Sequence, residues 1–70
     1  MNAPRQIRNS DVIAPGTRVV RAYRGTVVFE ILETNMRGPY LEGRMRDTRN
    51  GRSVGWHDLI EFRIVDGDES

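Results

Sequence analysis

Four arginines and a tyrosine are the residues of this sequence whose types and spacing best suit a binding surface. Arg44 and Arg46 alternate along one stretch, and Arg49 and Arg52 flank the pair Asn50-Gly51. In an extended stretch over 40–47, alternation places Tyr40, Arg44 and Arg46 on one face. Guanidinium groups contact phosphates and an aromatic ring stacks on bases, so such a face suits a nucleic-acid strand. We therefore predict a nucleic-acid-binding surface at Tyr40, Arg44, Arg46, Arg49 and Arg52.

The same arginines have a second interpretation as part of a solvated outer face. Glu42 and Asp47 lie in the same stretch, and exposed cross-strand pairs between carboxylates and arginines contribute little to stability. The sequence leaves both interpretations open. Arg18, Arg21 and Arg24 extend the basic surface if the first strand lies beside it.

Three apolar side chains predict contact with a protein. Val28 and Leu32 alternate out of phase with the expected core residues of their strand, and a monomer rarely exposes an apolar patch. Trp56 has two interpretations. We favour burial, in which its ring is a large core side chain, and if the ring is exposed it is an interface anchor. Val28, Leu32 and Trp56 are therefore the predicted partner-binding residues, for a homo-oligomer or a docked partner.

Catalytic chemistry has little support in this sequence. His57 is the single histidine and cysteine is absent, so no metal site is predicted. Neighbouring residues of a turn seldom face each other, so we expect His57-Asp58 to cap a tight turn rather than form an acid–base pair. The sequence predicts no catalytic residue, no metal and no cofactor, and an enzyme built at an oligomer pore remains a third alternative.

Charge is distributed unevenly along the chain. The 70 residues carry a formal net charge of +1, which argues against general polyanion binding. The stretch through Trp56 holds ten arginines against five carboxylates, and the remainder holds one arginine against five. Every basic side chain is arginine, which fits either recognition of planar anions or the codon bias of a GC-rich genome. The chain thus has a basic body and an acidic tail.

Five short strands are predicted to position these residues. They cover 17–23, 26–33, 40–47, 52–56 and 60–65, where β-branched and aromatic residues lie between turn signals. The predicted connections are a tight link at Arg24-Gly25, a loop over 35–39, a hairpin at Asn50-Gly51 and a 3-10 turn over 57–59. The apolar residues expected to point inward include Leu41, Met45, Ile60, Phe62 and Ile64. A helix over 28–36 is the alternative for the second strand.

The order of these elements resembles that of the SH3-like small barrels. The resemblance rests on the stretches 16–20 and 24–28, on the Asn50-Gly51 hairpin, and on Trp56 followed by a short turn and a last strand. KOW-type, Tudor-like and type II dihydrofolate reductase domains share this layout. It implies an all-β fold: a single, strongly bent, five-stranded antiparallel barrel over 15–65. Residues 1–14 are then an N-terminal arm or short edge segment, and residues 66–70 are an acidic tail.

Two functional hypotheses follow for a small non-enzymatic binding module. The first is binding of nucleic acid, or of a nucleic-acid-associated protein, through the arginine-lined hairpin. The second is a protein-interaction adaptor or inhibitor from a phage, plasmid or gene cassette, acting as an oligomer or docked on a partner. No apolar run reaches the length of a membrane helix, and residues 2–11 do not resemble a signal peptide. We therefore expect a cytoplasmic location without a membrane partner.

Overall fold

The computed structural model describes residues 5–23 and 25–65. Six antiparallel strands and one 3-10 turn follow each other as β1 (Arg5–Gln6), β2 (Arg18–Arg21), β3 (Phe29–Arg37), β4 (Tyr40–Asp47), β5 (Ser53–Asp58), the turn Leu59–Glu61 and β6 (Phe62–Ile64). They form one sheet in the order β1-β6-β2-β3-β4-β5. The prediction of an all-β chain with a 3-10 turn before its last strand is confirmed. Within the described ranges no ladder joins the edge strands β1 and β5, so the sheet is open in its hydrogen bonding.

The core lies against one face of this sheet. Alternation in β4 buries Leu41 and Met45, as the sequence predicts, because successive strand residues point to opposite faces. From other strands come Phe29 and Phe62, whose rings meet edge to face at 6.0 Å. Leu59 in the 3-10 turn is fully buried and faces Gly43, where a β-carbon would approach its Cδ2 to 2.9 Å. This close packing brings the 3-10 turn against β4.

The N-terminal stretch takes part in the fold. β1 pairs with β6, in agreement with the prediction of a short edge segment, and the Ile7 N–H donates to the Phe62 carbonyl oxygen at 3.1 Å. Ile7 and Ile13 belong to the core cluster, which the sequence did not indicate. The Asn9 side-chain oxygen accepts a bond from the Leu41 N–H at 3.0 Å. The stretch before the expected barrel is thus bonded to both β6 and β4.

The second predicted strand is displaced toward the C-terminus. β3 begins at Phe29 and continues to Arg37, so the expected loop over 35–39 is wrong and the helical alternative is excluded. The physical reason is a tight hairpin: Gly38 adopts φ 62°, which lets the chain reverse within Gly38-Pro39. Asn35 and Met36 then pair with Glu42 and Leu41. The hairpin of β3 and β4 is longer than the sequence suggested.

The start of β3 and the position of the 3-10 turn also differ from the prediction. β2 ends at Arg21 and β3 begins at Phe29, three residues after the expected start of the second strand; Arg24, in the tight link expected at Arg24-Gly25, lies outside the described residues. The 3-10 turn occupies 59–61 instead of 57–59, because His57 and Asp58 remain paired with Gly43 and Glu42 in β5. Ile60, which we expected to point inward, is 38% exposed, and Leu59 fills the core in its place.

Candidate binding face

The side of β3, β4 and β5 turned away from the core is called the outer face below. Cross-strand partners share a face, and Arg44 lies opposite both Glu33 on β3 and Trp56 on β5. Arg46 lies opposite Glu30. Tyr40, Arg44 and Arg46 therefore share the outer face, where alternation placed them. The register also brings carboxylates beside these arginines.

Each arginine of the outer face forms an ion pair. Arg44 Nε lies 2.6 Å from Glu33 Oε2, and Arg46 Nη2 lies 2.5 Å from Glu30 Oε1. Arg37 contacts Glu42 at 3.1 Å and Asp58 at 3.6 Å. Such half-exposed pairs contribute little to stability, but they cancel the local potential. Three arginines against four carboxylates leave the outer face without an excess of positive charge.

Arg49 supports the turn after β4. Its Nη2 lies 2.9 Å from Asp47 Oδ2, and its own N–H donates to Asp47 Oδ1 at 2.8 Å. The side-chain hydrogen bond from Arg49, followed by the backbone one, holds the pKa of the Asp47 carboxyl below its ordinary value, and the same contact raises the pKa of Arg49. Asp47 itself is buried. Arg49 is therefore engaged in a structural contact at the predicted hairpin.

Arg52 differs from the other three predicted nucleic-acid-binding arginines. It is exposed, its N–H donates to Asn50 Oδ1 at 2.9 Å, and its carbonyl oxygen accepts a bond from the Asp47 N–H at 2.9 Å. Among the side chains that the structure describes, no carboxylate forms an ion pair with it. Among the described residues, Arg52 is thus the one hairpin arginine whose guanidinium group is not paired with a carboxylate.

Of the three predicted partner-binding residues, Trp56 is exposed, whereas Val28 and Leu32 are not. Trp56 is 43% exposed, so the favoured burial is wrong; its pairing with Arg44 turns the ring onto the outer face. Val28 and Leu32 are half-buried. Val28 lies just before β3, where its carbonyl oxygen accepts bonds from the Thr48 N–H and hydroxyl, and Leu32 lies at a β-bulge. The two aliphatic residues do not form the expected exposed patch.

β5 is the edge of the sheet next to this tryptophan. It pairs with β4 alone among the described strands, so one row of its backbone groups faces away from the sheet. A register shift places Val54 in a bulge, and Val54 is 38% exposed. Edge strands with exposed apolar side chains are preferred sites for pairing with another chain.

His57 and Asp58 point to opposite faces of β5. His57 lies opposite Gly43 on the core side, with a ring nitrogen 3.0 Å from the Val54 carbonyl oxygen. Asp58 lies opposite Glu42 and pairs with Arg37. It occupies the N-cap position of the 3-10 turn without a side-chain capping bond, so the predicted cap is wrong. Within the described ranges, no group of three metal-ligating side chains is present.

A cavity of about 490 Å³ lies on the other side of the molecule, between the end of β2 and the 3-10 turn. Its lining includes Arg21, Tyr23, Ile60 and Glu61. The Arg21 guanidinium lies 5.4 Å from the centre of the Phe62 ring, and Tyr23 is 87% exposed. The sequence did not identify this cavity, because its walls come from segments about 40 residues apart in the chain.

No protein-family model matches this chain, and comparisons with curated proteins and with solved structures find no significant match. Among the described residues, none of the helical structure is long and apolar enough to cross a membrane.

Proposed function

We propose that this chain is a small, non-enzymatic protein-interaction module with an SH3-like barrel, and that it binds through the outer face around Trp56. The observation that carries the proposal is the exposure of this ring, 43%, on an edge strand. Tryptophan and arginine dominate the binding energy of protein interfaces. Here Trp56 lies opposite Arg44, whose position is fixed by Glu33. An aromatic ring beside an oriented arginine is a suitable centre for an interface.

Charge supports a protein partner over a nucleic acid. Affinity for nucleic acid depends on cations that neutralise phosphates and release counterions. Arg44 and Arg46 already form ion pairs with Glu33 and Glu30. A phosphate that took over either arginine would therefore lie next to the carboxylate that it displaced. A protein interface accommodates paired charges at its polar rim. The outer face therefore suits a surface of mixed charge better than a polyanion.

The SH3-like part of the proposal is supported by the strand arrangement. β2 to β5 follow each other in the sheet as neighbours, β6 returns to lie beside β2, and the 3-10 turn precedes β6. Fold alone does not specify function. The proposed activity therefore rests on Trp56 and the β5 edge.

The protein partner to test first is a second copy of the chain, because an exposed edge strand can pair with its own copy across a two-fold axis. We expect sedimentation velocity to show reversible dimers, with Trp56→Ala weakening dimerisation by roughly 30-fold or more, the effect of a central interface tryptophan. Tyr23→Ala removes an exposed aromatic ring that lines the cavity beside the end of β2 and serves as the matched control. As the only tryptophan, Trp56 also reports burial by a blue shift of its emission. If the wild-type chain is still monomeric at about 1 mM, a concentration above the usual dissociation constants of specific dimers, self-pairing through this face is refuted.

Nucleic-acid binding through Tyr40, Arg44, Arg46, Arg49 and Arg52 is the second candidate function. The observation in its favour is the free guanidinium of Arg52 close to the hairpin, together with a Tyr40 that is 47% exposed. Its test is the anisotropy of a labelled single-stranded oligonucleotide at low and at physiological salt. Binding that weakens steeply with salt supports this candidate, and the lack of binding at low salt excludes it.

A further inference from the structure

An unpartnered guanidinium nitrogen lies on β6, which β2, β3 and β4 separate from β5 in the sheet. Arg63 is half-buried, and its Nε is buried without a hydrogen-bond partner among the described residues. Buried polar groups are nearly always hydrogen-bonded, and a charged group without a partner is the costliest exception. Arg63 thus carries a donor that the described residues leave unsatisfied, and an oxygen that entered beside it would supply the missing acceptor.

Arg18 lies next to Arg63 on the same side of the sheet. Arg63 is opposite Val20 in the ladder of β2 and β6, and Arg18 precedes Val20 by two residues in β2, so the three side chains share a face. Val19 and Ile64 point to the other side, into the core. Diagonal neighbours in an antiparallel pair lie about 7–8 Å apart, within reach of long side chains. One small anion can therefore contact both guanidinium groups.

The charges of Arg18 and Arg63 are not neutralised by the described side chains. Glu30 lies opposite Arg18 across β2 and β3, but its carboxylate pairs with Arg46 at 2.5 Å. Val20, between the two arginines, is 7% exposed although it lies outside the core cluster. Water is therefore partly excluded here, which strengthens electrostatic contacts. The outer face of β3–β5 shows the opposite situation, with each arginine paired.

We propose that Arg18 and Arg63 form an oxyanion-binding site that takes a carboxylate or a phosphate group. The planar guanidinium fork matches the oxygens of both groups. The nearest source is the acidic segment 66–70 of the same chain, which carries Asp66, Asp68 and Glu69 and lies outside the described residues. It follows Val65, whose N–H donates to the Arg18 carbonyl oxygen at 2.9 Å. A tethered anion has a millimolar effective concentration, which favours these carboxylates over free phosphate.

The site is tested by the NMR signal of the Arg63 Nε–Hε group in the full chain, with inorganic phosphate as the probe. The comparison variant is Asp66→Asn/Asp68→Asn/Glu69→Gln, which neutralises the acidic segment and leaves all core residues unchanged. Arg52, exposed and unpaired, provides the reference signal. If the segment occupies the site, the triple variant shifts the Arg63 signal and makes it respond to phosphate, whereas the wild type responds weakly. If free phosphate occupies the site, both chains respond equally and saturably.

A second variant tests whether the two arginines act together. Arg18→Gln, at an exposed position, should weaken phosphate binding by the triple variant about tenfold, the effect of losing one charge-assisted contact. The proposal is overturned if the Arg63 signal moves no more than that of Arg52, both on neutralising the segment and on adding phosphate. Such a failure leaves the proposed role of Trp56 unaffected, because dimerisation is measured separately by sedimentation and involves different residues.

Discussion

Ile7 provides a quantitative test of how far the folded unit extends toward the N-terminus. It is 1% exposed and belongs to the core cluster, although it precedes the expected barrel. Ile7→Ala removes three carbon atoms, which at about 0.8 kcal/mol per buried carbon corresponds to about 2.4 kcal/mol. The cavity left behind raises the loss in free energy of unfolding to about 3–4 kcal/mol. Small domains have total stabilities near the lower end of about 5–15 kcal/mol, so most of the stability should be lost.

Urea denaturation followed by circular dichroism measures this loss, with Val12→Ala as the matched control. Val12 is 97% exposed in the same stretch, so its truncation should change the free energy of unfolding by less than about 0.5 kcal/mol. The Ile7 variant should also melt about 12–32 °C below the wild type. If Ile7→Ala is as stable as Val12→Ala, the N-terminal stretch does not contribute to the core and this reasoning is wrong.

Two further substitutions test individual contacts. In Gly43→Ala the new β-carbon would lie 2.9 Å from Leu59 Cδ2, so urea denaturation should show that the free energy of unfolding falls by about 1–3 kcal/mol. The double variant Gly43→Ala/Leu59→Val should lose less than the sum of the two single losses, because the smaller side chain relieves the contact. Strict additivity would contradict the contact. The Arg49 hydrogen bonds lower the pKa of Asp47 from its ordinary 3.8, so their contribution is present above that pH and is lost as the pH falls through the lowered pKa. Stability should therefore fall more steeply in acid for the wild type than for Asp47→Asn, and equal acid slopes would refute the assignment.

The parts of the fold that depend on local alternation could be predicted from the sequence. β4 spans Tyr40–Asp47 as expected, because apolar and polar residues alternate throughout it and Met45 lies in phase with Leu41. The reversal at Asn50-Gly51 was also predictable, because an Asn-Gly pair is a strong turn signal. Gly51 adopts φ 76° in the structure, a conformation that glycine accepts at little cost. The presence of a 3-10 turn was predicted, but its position depends on how far β5 remains paired with β4.

Features that depend on long-range pairing were not predictable in the same way. Ile7 has no periodic context, and its burial depends on contact with β6, more than 50 residues later in the chain. The bulges at Leu32 and Val54 change which side chains share a face. No local pattern distinguishes a bulged residue from a regular one, because the extra residue is defined by the partner strand. Which side chains are exposed on the outer face therefore depends on the pairing register of the strands rather than on the hydrophobicity of the residues.

Cross-strand register also separates the arginines of this chain into two groups with different chemistry. Arg44 and Arg46 suggested a cationic surface because they alternate beside Tyr40, yet their partners Glu33 and Glu30 come from the neighbouring strand. Arg18 and Arg63 have no suggestive spacing, but the β2–β6 ladder brings them together without a described carboxylate partner. Because a paired guanidinium has to lose one contact before making another, the free pair is the better site for an anion. The paired group instead lies beside Trp56, and this division assigns the proposed protein contact and the proposed anion site to different strands of one small sheet.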